Sequence, residues 1–228
     1  MNSKLTELYA RVKSIKPADT AHDFSHMLRV SELTTQIYSQ EVKKRENRSA
    51  STAELDACVA AALLHDCVPI PKNSPLRKES SRLASETARH WLTELKWDKD
   101  QMNLIVNAIL THSYSAGSEP SSLLGEALQD ADRLEALGAL GLFRTIATGV
   151  SMGAELFDTN DPWAEHRSLD DKKYTIDHFY LKLLKLPLTF KTEAAKMEAE
   201  KRAQFLEQFL IQLRAEITTG INQDSPTA

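Results

Sequence analysis

Apolar residues recur along most of the chain at intervals of three and four positions, the spacing that places them on one face of an α-helix. In the first long helix, for example, Val30 and Ile37 fall on the face that carries His26. Glycine and proline are scarce, with 7 and 8 copies in 228 residues, so few positions interrupt helices. No region is rich in the alternating pattern of a half-buried strand. The pattern therefore predicts an all-α fold.

The most apolar helix has an unusual end. It is predicted to begin at Ser51, because Ser51 and Glu54 have the spacing of a capping box. It continues through the apolar run "ACVAAALL" to the adjacent pair His65 and Asp66, and two prolines that follow soon afterwards stop it. Burying an unpaired carboxylate costs several kcal/mol. This helix end therefore needs an explanation beyond packing.

Further helices and one irregular segment complete the predicted domain. The last helix is amphipathic, and two uses of its apolar stripe stay open: packing on the domain's own core, or a homodimer interface. The segment 155–187 is polar, aromatic and irregular, which is typical of a functional insertion or lid. At this length we expect one domain over residues 1–219 and a frayed tail over 220–228. The further helices are predicted at 83–95, 102–112, 125–149 and 192–217.

Charge and composition narrow the classes of partner. The net charge of −4, from 28 Lys plus Arg and 32 Asp plus Glu, provides no field that would attract long nucleic acid. The N-terminus has no apolar stretch like that of a secretory signal, and the longest apolar run is far shorter than the ~20 residues that cross a bilayer. We therefore expect a cytoplasmic protein with no membrane partner. Cys58 and Cys67 suggest no disulfide framework and are expected to be small buried hydrophobes, with a ligand or redox role for Cys67 as the alternative.

Histidines and acids fall on the apolar faces of three predicted helices: His26, the pair His65 and Asp66, and Asp132. A buried carboxylate requires a positive partner, and a divalent metal ion supplies one. Two imidazoles and two carboxylates make a four-ligand site with positions left for water and substrate, as catalytic metals use. Mixed ligation of this kind favours manganese, with magnesium, iron, cobalt or nickel as alternatives. A single buried histidine is more often hydrogen-bonded in a core, but four such residues on successive helices favour the metal.

This ordered set resembles the H…HD…D signature of the HD superfamily of metal-dependent phosphohydrolases. The match spans residues 23–144, and its three pieces are "HMLRV", "ALLHD" and "DADRLEALGALG". Longer strings are similar to one bacterial branch, the YedJ/YpgQ-like HD hydrolases, and extend the resemblance through about Pro187. They are "HDFSHMLRV", "PKNSPLRKESS", "QDADRLEALGALGLFRT" and "LDDKKYTIDHFYLKLLKLP". The resemblance implies an HD-domain helical bundle, here followed by the C-terminal amphipathic helix.

The resemblance also implies an activity, the hydrolysis of a phosphate ester or anhydride in a small phosphorylated molecule. A nucleotide is the first candidate, cleaved by a nucleoside triphosphate pyrophosphohydrolase, a phosphatase or a phosphodiesterase. In such enzymes the metal activates a water for in-line attack on phosphorus. The alternative is a non-catalytic HD module that senses a nucleotide, although the four intact ligands argue against it.

Candidate substrate-binding residues follow the HD pair and end a later helix. Lys72 and Arg77 would bind phosphate, with a solvated charged loop as the alternative. His112 lies where two-metal HD phosphodiesterases carry a pair of histidines, and Ser113 replaces the second. We expect His112 to contact phosphate or to form a structural hydrogen bond, with a second metal shared with His90 as the alternative.

The candidate catalytic acids are Asp66, Glu86 and Asp130. Some HD nucleotidases carry an acid three residues after the HD aspartate, where this chain has Pro69. Glu86 and Asp130 are therefore considered as replacements that orient the water or accept its proton. A surface or salt-bridged role is the alternative for each of them.

Overall fold

The structure is a computed structural model that describes residues 2–17, 23–70, 74–114 and 117–221. Within these ranges the chain forms α-helices and 3-10 helices and contains no strand beyond an isolated bridge between Glu155 and Tyr174, which confirms the predicted all-α fold. The α-helices are α1 (Ser3–Lys13), α2 (Phe24–Glu46), α3 (Thr52–Leu64), α4 (Ser80–Glu94), α5 (Lys99–Thr111), α6 (Leu123–Leu134), α7 (Gly138–Ser151), α8 (Asp177–Leu181) and α9 (Glu193–Ile221).

Local sequence chemistry sets the helix ends that matter for the site. The predicted capping box is present, since the Ser51 hydroxyl accepts from the N–H of Glu54 and the Glu54 carboxylate accepts from the N–H of Ser51. Helix α3 ends at Leu64 with His65 as its C-cap residue. Helix α2 begins after Asp23, whose carboxylate accepts a hydrogen bond from the N–H of His26 at 2.9 Å. His26 and His65 therefore lie at helix termini.

The chain divides into two compact units, and the first comprises Met1–Glu135 and Phe190–Lys196. In this unit α2 packs against α3 and α6, and α5 packs against α3, α4 and α6. The core between these helices is apolar and includes fully buried Val30, Leu64, Ile105 and Leu128. The apolar positions at helical spacing predicted these inward faces.

The second unit comprises Ala136–Thr189 and Met197–Ala228. It contains α7, α8, a 3-10 helix over Leu183–Thr189, and the part of α9 from Met197 onward. Leu206 and Leu210 of α9 are buried, and the ring of Phe209 stacks on Phe179 with centroids 6.0 Å apart. Part of the predicted apolar stripe thus packs within its own unit.

The segment predicted to be lid-like is cross-linked by polar contacts. The Arg167 guanidinium donates two hydrogen bonds to the buried carboxylate of Asp177 and lies 4.3 Å from the centre of the Tyr174 ring. The Tyr174 hydroxyl in turn donates to Asp158. A role of residues 155–187 as a lid stays a prediction, as does a single domain over residues 1–219. Of the tail expected over 220–228, residues 222–228 lie outside the described residues.

No helix in the described part of the chain is both long and apolar enough to cross a membrane.

Candidate metal centre

The four predicted metal ligands lie in two groups of close donors that share His65. His26, His65 and Asp132 each offer a ligand atom within 4.8 Å of the others. The Nε2 atoms of His26 and His65 lie 3.4 and 3.9 Å from Oδ1 of Asp132, and Oδ2 of Asp66 lies 3.7 Å from Nε2 of His65. Ligands of an ion with bonds of about 2.0–2.2 Å lie about 3.0–3.6 Å apart. The group of His26, His65 and Asp132 therefore has a size that suits one divalent ion, and Asp66 lies next to it beside His65.

His112 is a further member of the cluster. Its Nε2 lies 3.9 Å from Oδ1 of Asp66, and its ring centre lies 5.1 Å from that of His65. His65, Asp66 and His112 form a second group of mutually close donors. His112 is buried and faces the proposed ligands, while its Nδ1 forms a structural hydrogen bond of the kind considered from the sequence; a phosphate contact of His112 stays a prediction.

Backbone carbonyls set the orientation of two histidines. Nδ1 of His65 lies 2.6 Å from the carbonyl oxygen of Ala62, and Nδ1 of His112 lies 2.6 Å from that of Ile109. Because a carbonyl only accepts, each Nδ1 carries the proton and each Nε2 of the neutral ring has a lone pair facing the cluster. Nε2 of His65 is buried and has no hydrogen-bond partner among the described residues. A metal ion is the partner that fits this atom.

The charges of the cluster also suit a cation. Burial opposes ionisation of Asp132, but His65, His26 and His112 outweigh it and lower the pKa of this carboxyl. Burial is the main cause that lowers the pKa of His112. These shifts favour an ionised carboxylate and a neutral imidazole, the forms that bind metals.

The cluster is open on its carboxylate side. The side chains of His26 and His65 are fully buried, whereas those of Asp132 and Asp66 are 32% and 18% exposed. The carboxylates are therefore the members of the cluster that solvent reaches most easily, and the two imidazoles lie beneath the surface.

Glu135 is a buried acid next to His26 that was not among the site residues predicted from the sequence. Oε2 of Glu135 lies 3.4 Å from Nδ1 of His26, accepts a hydrogen bond from Nε of Arg29 at 3.0 Å, and lies 2.8 Å from Nη2 of Arg29 in a salt bridge. Burial would raise the pKa of Glu135, but the hydrogen bonds from His26 and Arg29 outweigh it and lower that pKa. The available signal was its spacing of three residues from Asp132, which places both acids on one face of the predicted helix.

One of the two predicted phosphate-binding residues of the loop, Arg77, lies in a short 3-10 helix. Arg77 is half-buried in the 3-10 helix Pro75–Glu79, and its Nη1 donates a long hydrogen bond of 3.4 Å to the carbonyl oxygen of Ile70. Lys72 lies outside the described residues. Phosphate binding by both residues stays a prediction.

Two candidates on α4 are exposed and paired with neighbours. Glu86 accepts a hydrogen bond from Arg82 at 2.7 Å, and Nε2 of His90 lies 3.4 Å from Glu94. Neither Glu86 nor His90 belongs to a group of close metal donors among the described residues. This placement agrees with the surface role that was the alternative for Glu86, and it leaves His90 outside the two groups of close donors.

Asp130 is fully buried and occupied by backbone donors. Its carboxylate accepts hydrogen bonds from the N–H groups of Lys191 and Thr192 and from the Thr192 hydroxyl. Burial raises the pKa of Asp130, although the hydrogen bonds oppose this shift. The placement favours a structural role, in which Asp130 fastens residues 190–196 to α6, over the catalytic role considered from the sequence.

Comparison with known proteins identifies the family. The HD domain model matches residues 23–137, a range that contains every member of the cluster. The chain belongs to the HD domain family. It is 28% identical over 210 residues to the uncharacterized protein YpgQ of Bacillus subtilis, and the match covers 90% of this chain and 89% of the relative.

Solved structures extend this likeness to the fold. The crystal structure of Bacillus subtilis YpgQ in complex with ADP has a TM-score of 0.67 and 26% identity, covering 93% of this chain and 94% of that one. An HD-superfamily hydrolase from Bacillus thuringiensis has a TM-score of 0.67 and 29% identity, covering 93% and 96%. These findings confirm a YpgQ-like HD protein and support a metal-dependent phosphohydrolase.

Proposed function

We propose that this HD protein hydrolyses nucleotides with the help of a divalent metal ion. The observation that carries the proposal is the cluster of three histidines and two carboxylates, in which Nε2 of His65 is buried without a hydrogen-bond partner among the described residues. Hydrolase chemistry is supported by the family. A nucleotide substrate is supported by the solved YpgQ complex, which contains ADP.

In the proposed site His26, His65, Asp66 and Asp132 hold the ion, which we expect to be manganese. A divalent ion there would supply positive charge to the phosphoryl group and acidify a water molecule. The chain holds its donors at helix ends and aims the imidazoles with hydrogen bonds from Nδ1, so the site needs little rearrangement.

Asp66 is the proposed catalytic acid–base group. Its Oδ2 faces His65, and its Oδ1 faces His112. One oxygen can thus bind the ion while the other accepts a proton from the water. His112 would assist at the same position, and Arg77 and Lys72 would neutralise the charge of the phosphates.

The test is incubation of the purified protein with Mn²⁺ and a panel of nucleoside mono-, di- and triphosphates. We expect wild-type protein to cleave at least one nucleotide, and EDTA or Asp132→Ala to abolish cleavage. Pyrophosphate release from a triphosphate would place attack at the α-phosphorus, whereas inorganic phosphate would indicate a phosphatase. Nucleotide that binds but stays intact across the whole panel would refute hydrolysis and favour the sensing module.

A further inference from the structure

The contact between Glu135 and His26 is part of a four-residue arrangement across two helices. His26 and Arg29 lie one turn apart on α2, and Asp132 and Glu135 lie one turn apart at the end of α6. His26 and Asp132, the first residue of each pair, are proposed ligands, and Nε2 of His26 lies 3.4 Å from Oδ1 of Asp132. Arg29 and Glu135, the second residue of each pair, form a salt bridge next to Nδ1 of His26. In this salt bridge Nη2 of Arg29 lies 2.8 Å from Oε2 of Glu135.

His26 differs from the other two histidines of the cluster in the group that meets its Nδ1. His65 and His112 lie at helix C-termini, and each donates from Nδ1 to the carbonyl oxygen three residues earlier in the chain. His26 lies in the first turn of α2, and its Nδ1 meets the carboxylate of Glu135 at the end of α6, 109 positions away in the chain. A group from another helix therefore orients this imidazole.

The chemistry of the contact fixes the tautomer of His26. The carboxylate of Glu135 accepts a hydrogen bond from Nδ1 of His26, so Nδ1 carries a proton; in the neutral ring Nε2 then offers its lone pair on the side of Asp132, where a metal ion would bind. The negative charge behind the ring also makes Nε2 a stronger ligand. Arg29 holds the carboxylate oxygen in place through a hydrogen bond from Nε and the salt bridge of its guanidinium group.

We propose that Glu135, held by Arg29, is a positioning residue that fixes His26 in its metal-binding tautomer and raises the affinity of the site for its ion. This inference rests on the proposed metal-dependent function.

Titration calorimetry with Mn²⁺ provides the first test. Replacing Glu135 with Gln keeps the shape of the side chain but removes its charge and adds an N–H donor that can pair with the other tautomer. We expect Glu135→Gln to weaken Mn²⁺ binding about 10- to 100-fold, and Glu135→Asp, which keeps the charge, to recover part of the loss. The matched control is Glu126→Gln. Glu126 pairs with Arg45 at 3.0 Å across the same two helices but outside the cluster, and it should leave Mn²⁺ affinity unchanged.

Imidazole ¹⁵N spectra of the metal-free protein provide a second test that a purely structural role would not affect. The His26 signals are assigned by their loss in His26→Gln. At a pH high enough for the ring to be neutral, we expect wild-type His26 to carry its proton on Nδ1, and Glu135→Gln to show a mixture of both tautomers.

The outcomes separate this inference from the proposed function. Wild-type protein that binds no Mn²⁺ would overturn the function on which the inference rests. Normal Mn²⁺ affinity and an unchanged tautomer in folded Glu135→Gln would overturn the role of Glu135 alone. If Glu135→Gln does not fold, either of two other results would overturn the role of Glu135. One is a wild-type His26 whose neutral ring carries its proton on Nε2. The other is a Glu135→Asp variant that shows an altered tautomer of His26 but binds Mn²⁺ with full affinity.

Discussion

Replacement of Asp130 by Ala tests whether this buried acid is structural. The change removes the acceptor of three hydrogen bonds, two from backbone N–H groups and one from the hydroxyl of Thr192. Each buried donor left unpaired costs about 1–3 kcal/mol. Loss of a buried charge offsets part of this cost, since burial raises the pKa of Asp130. We therefore expect the free energy of unfolding to fall by about 2–4 kcal/mol.

The assay is urea unfolding followed by helical circular dichroism, with kcat measured at a temperature where the variant is folded. Asp130→Ala should be less stable but keep a kcat close to that of wild type, because its carboxylate is enclosed. Thr192→Val should lower the free energy of unfolding by about 1 kcal/mol. The double variant should be destabilised by less than the sum of the two single variants, because both changes remove the same contact. Glu86→Ala is the exposed control and should change neither quantity.

Two results would refute this reasoning. Stability of Asp130→Ala within about 0.5 kcal/mol of wild type, the range of an ordinary surface substitution, would show that the hydrogen bonds do not hold residues 190–196. The second result is a folded Asp130→Ala variant that binds Mn²⁺ as wild type does but has a kcat lower by orders of magnitude. This result would support the catalytic role of Asp130 considered from the sequence.

Three further predictions concern the metal, the substrate and the thiols. Asp132→Ala should lose bound metal by elemental analysis, because it removes the carboxylate that faces both His26 and His65; retained metal would contradict the ligand set. Arg77→Ala should raise KM for a cleaved nucleotide more than it lowers kcat, whereas Lys78→Ala, a change at its exposed neighbour, should change neither; equal kinetics of the two variants would remove Arg77 from the site. Burial raises the pKa of both cysteine thiols to about 12, so a thiol reagent at neutral pH should modify the protein only after denaturation, and rapid labelling of the native protein would contradict this burial.

Much of the metal centre could be predicted from the sequence because burial has a local signal. Helical periodicity shows which residues face the core, and a carboxylate or imidazole on such a face requires a partner. From these patterns His26, His65, Asp66 and Asp132 were predicted as metal ligands. The capping box at Ser51 and Glu54 was also predictable because it is local: both of its hydrogen bonds join residues three positions apart.

Only the tertiary structure decided the partners of the remaining polar groups. Asp130 and the hydroxyl of Thr192 are 62 positions apart in the chain, and Glu135 and His26 are 109 apart. Periodicity assigns a residue to a face of its helix, but the packing of helices against one another determines which group lies opposite. For that reason the sequence by itself indicated a metal site and an HD fold, whereas the places of His112, Glu135 and Asp130 required the folded chain.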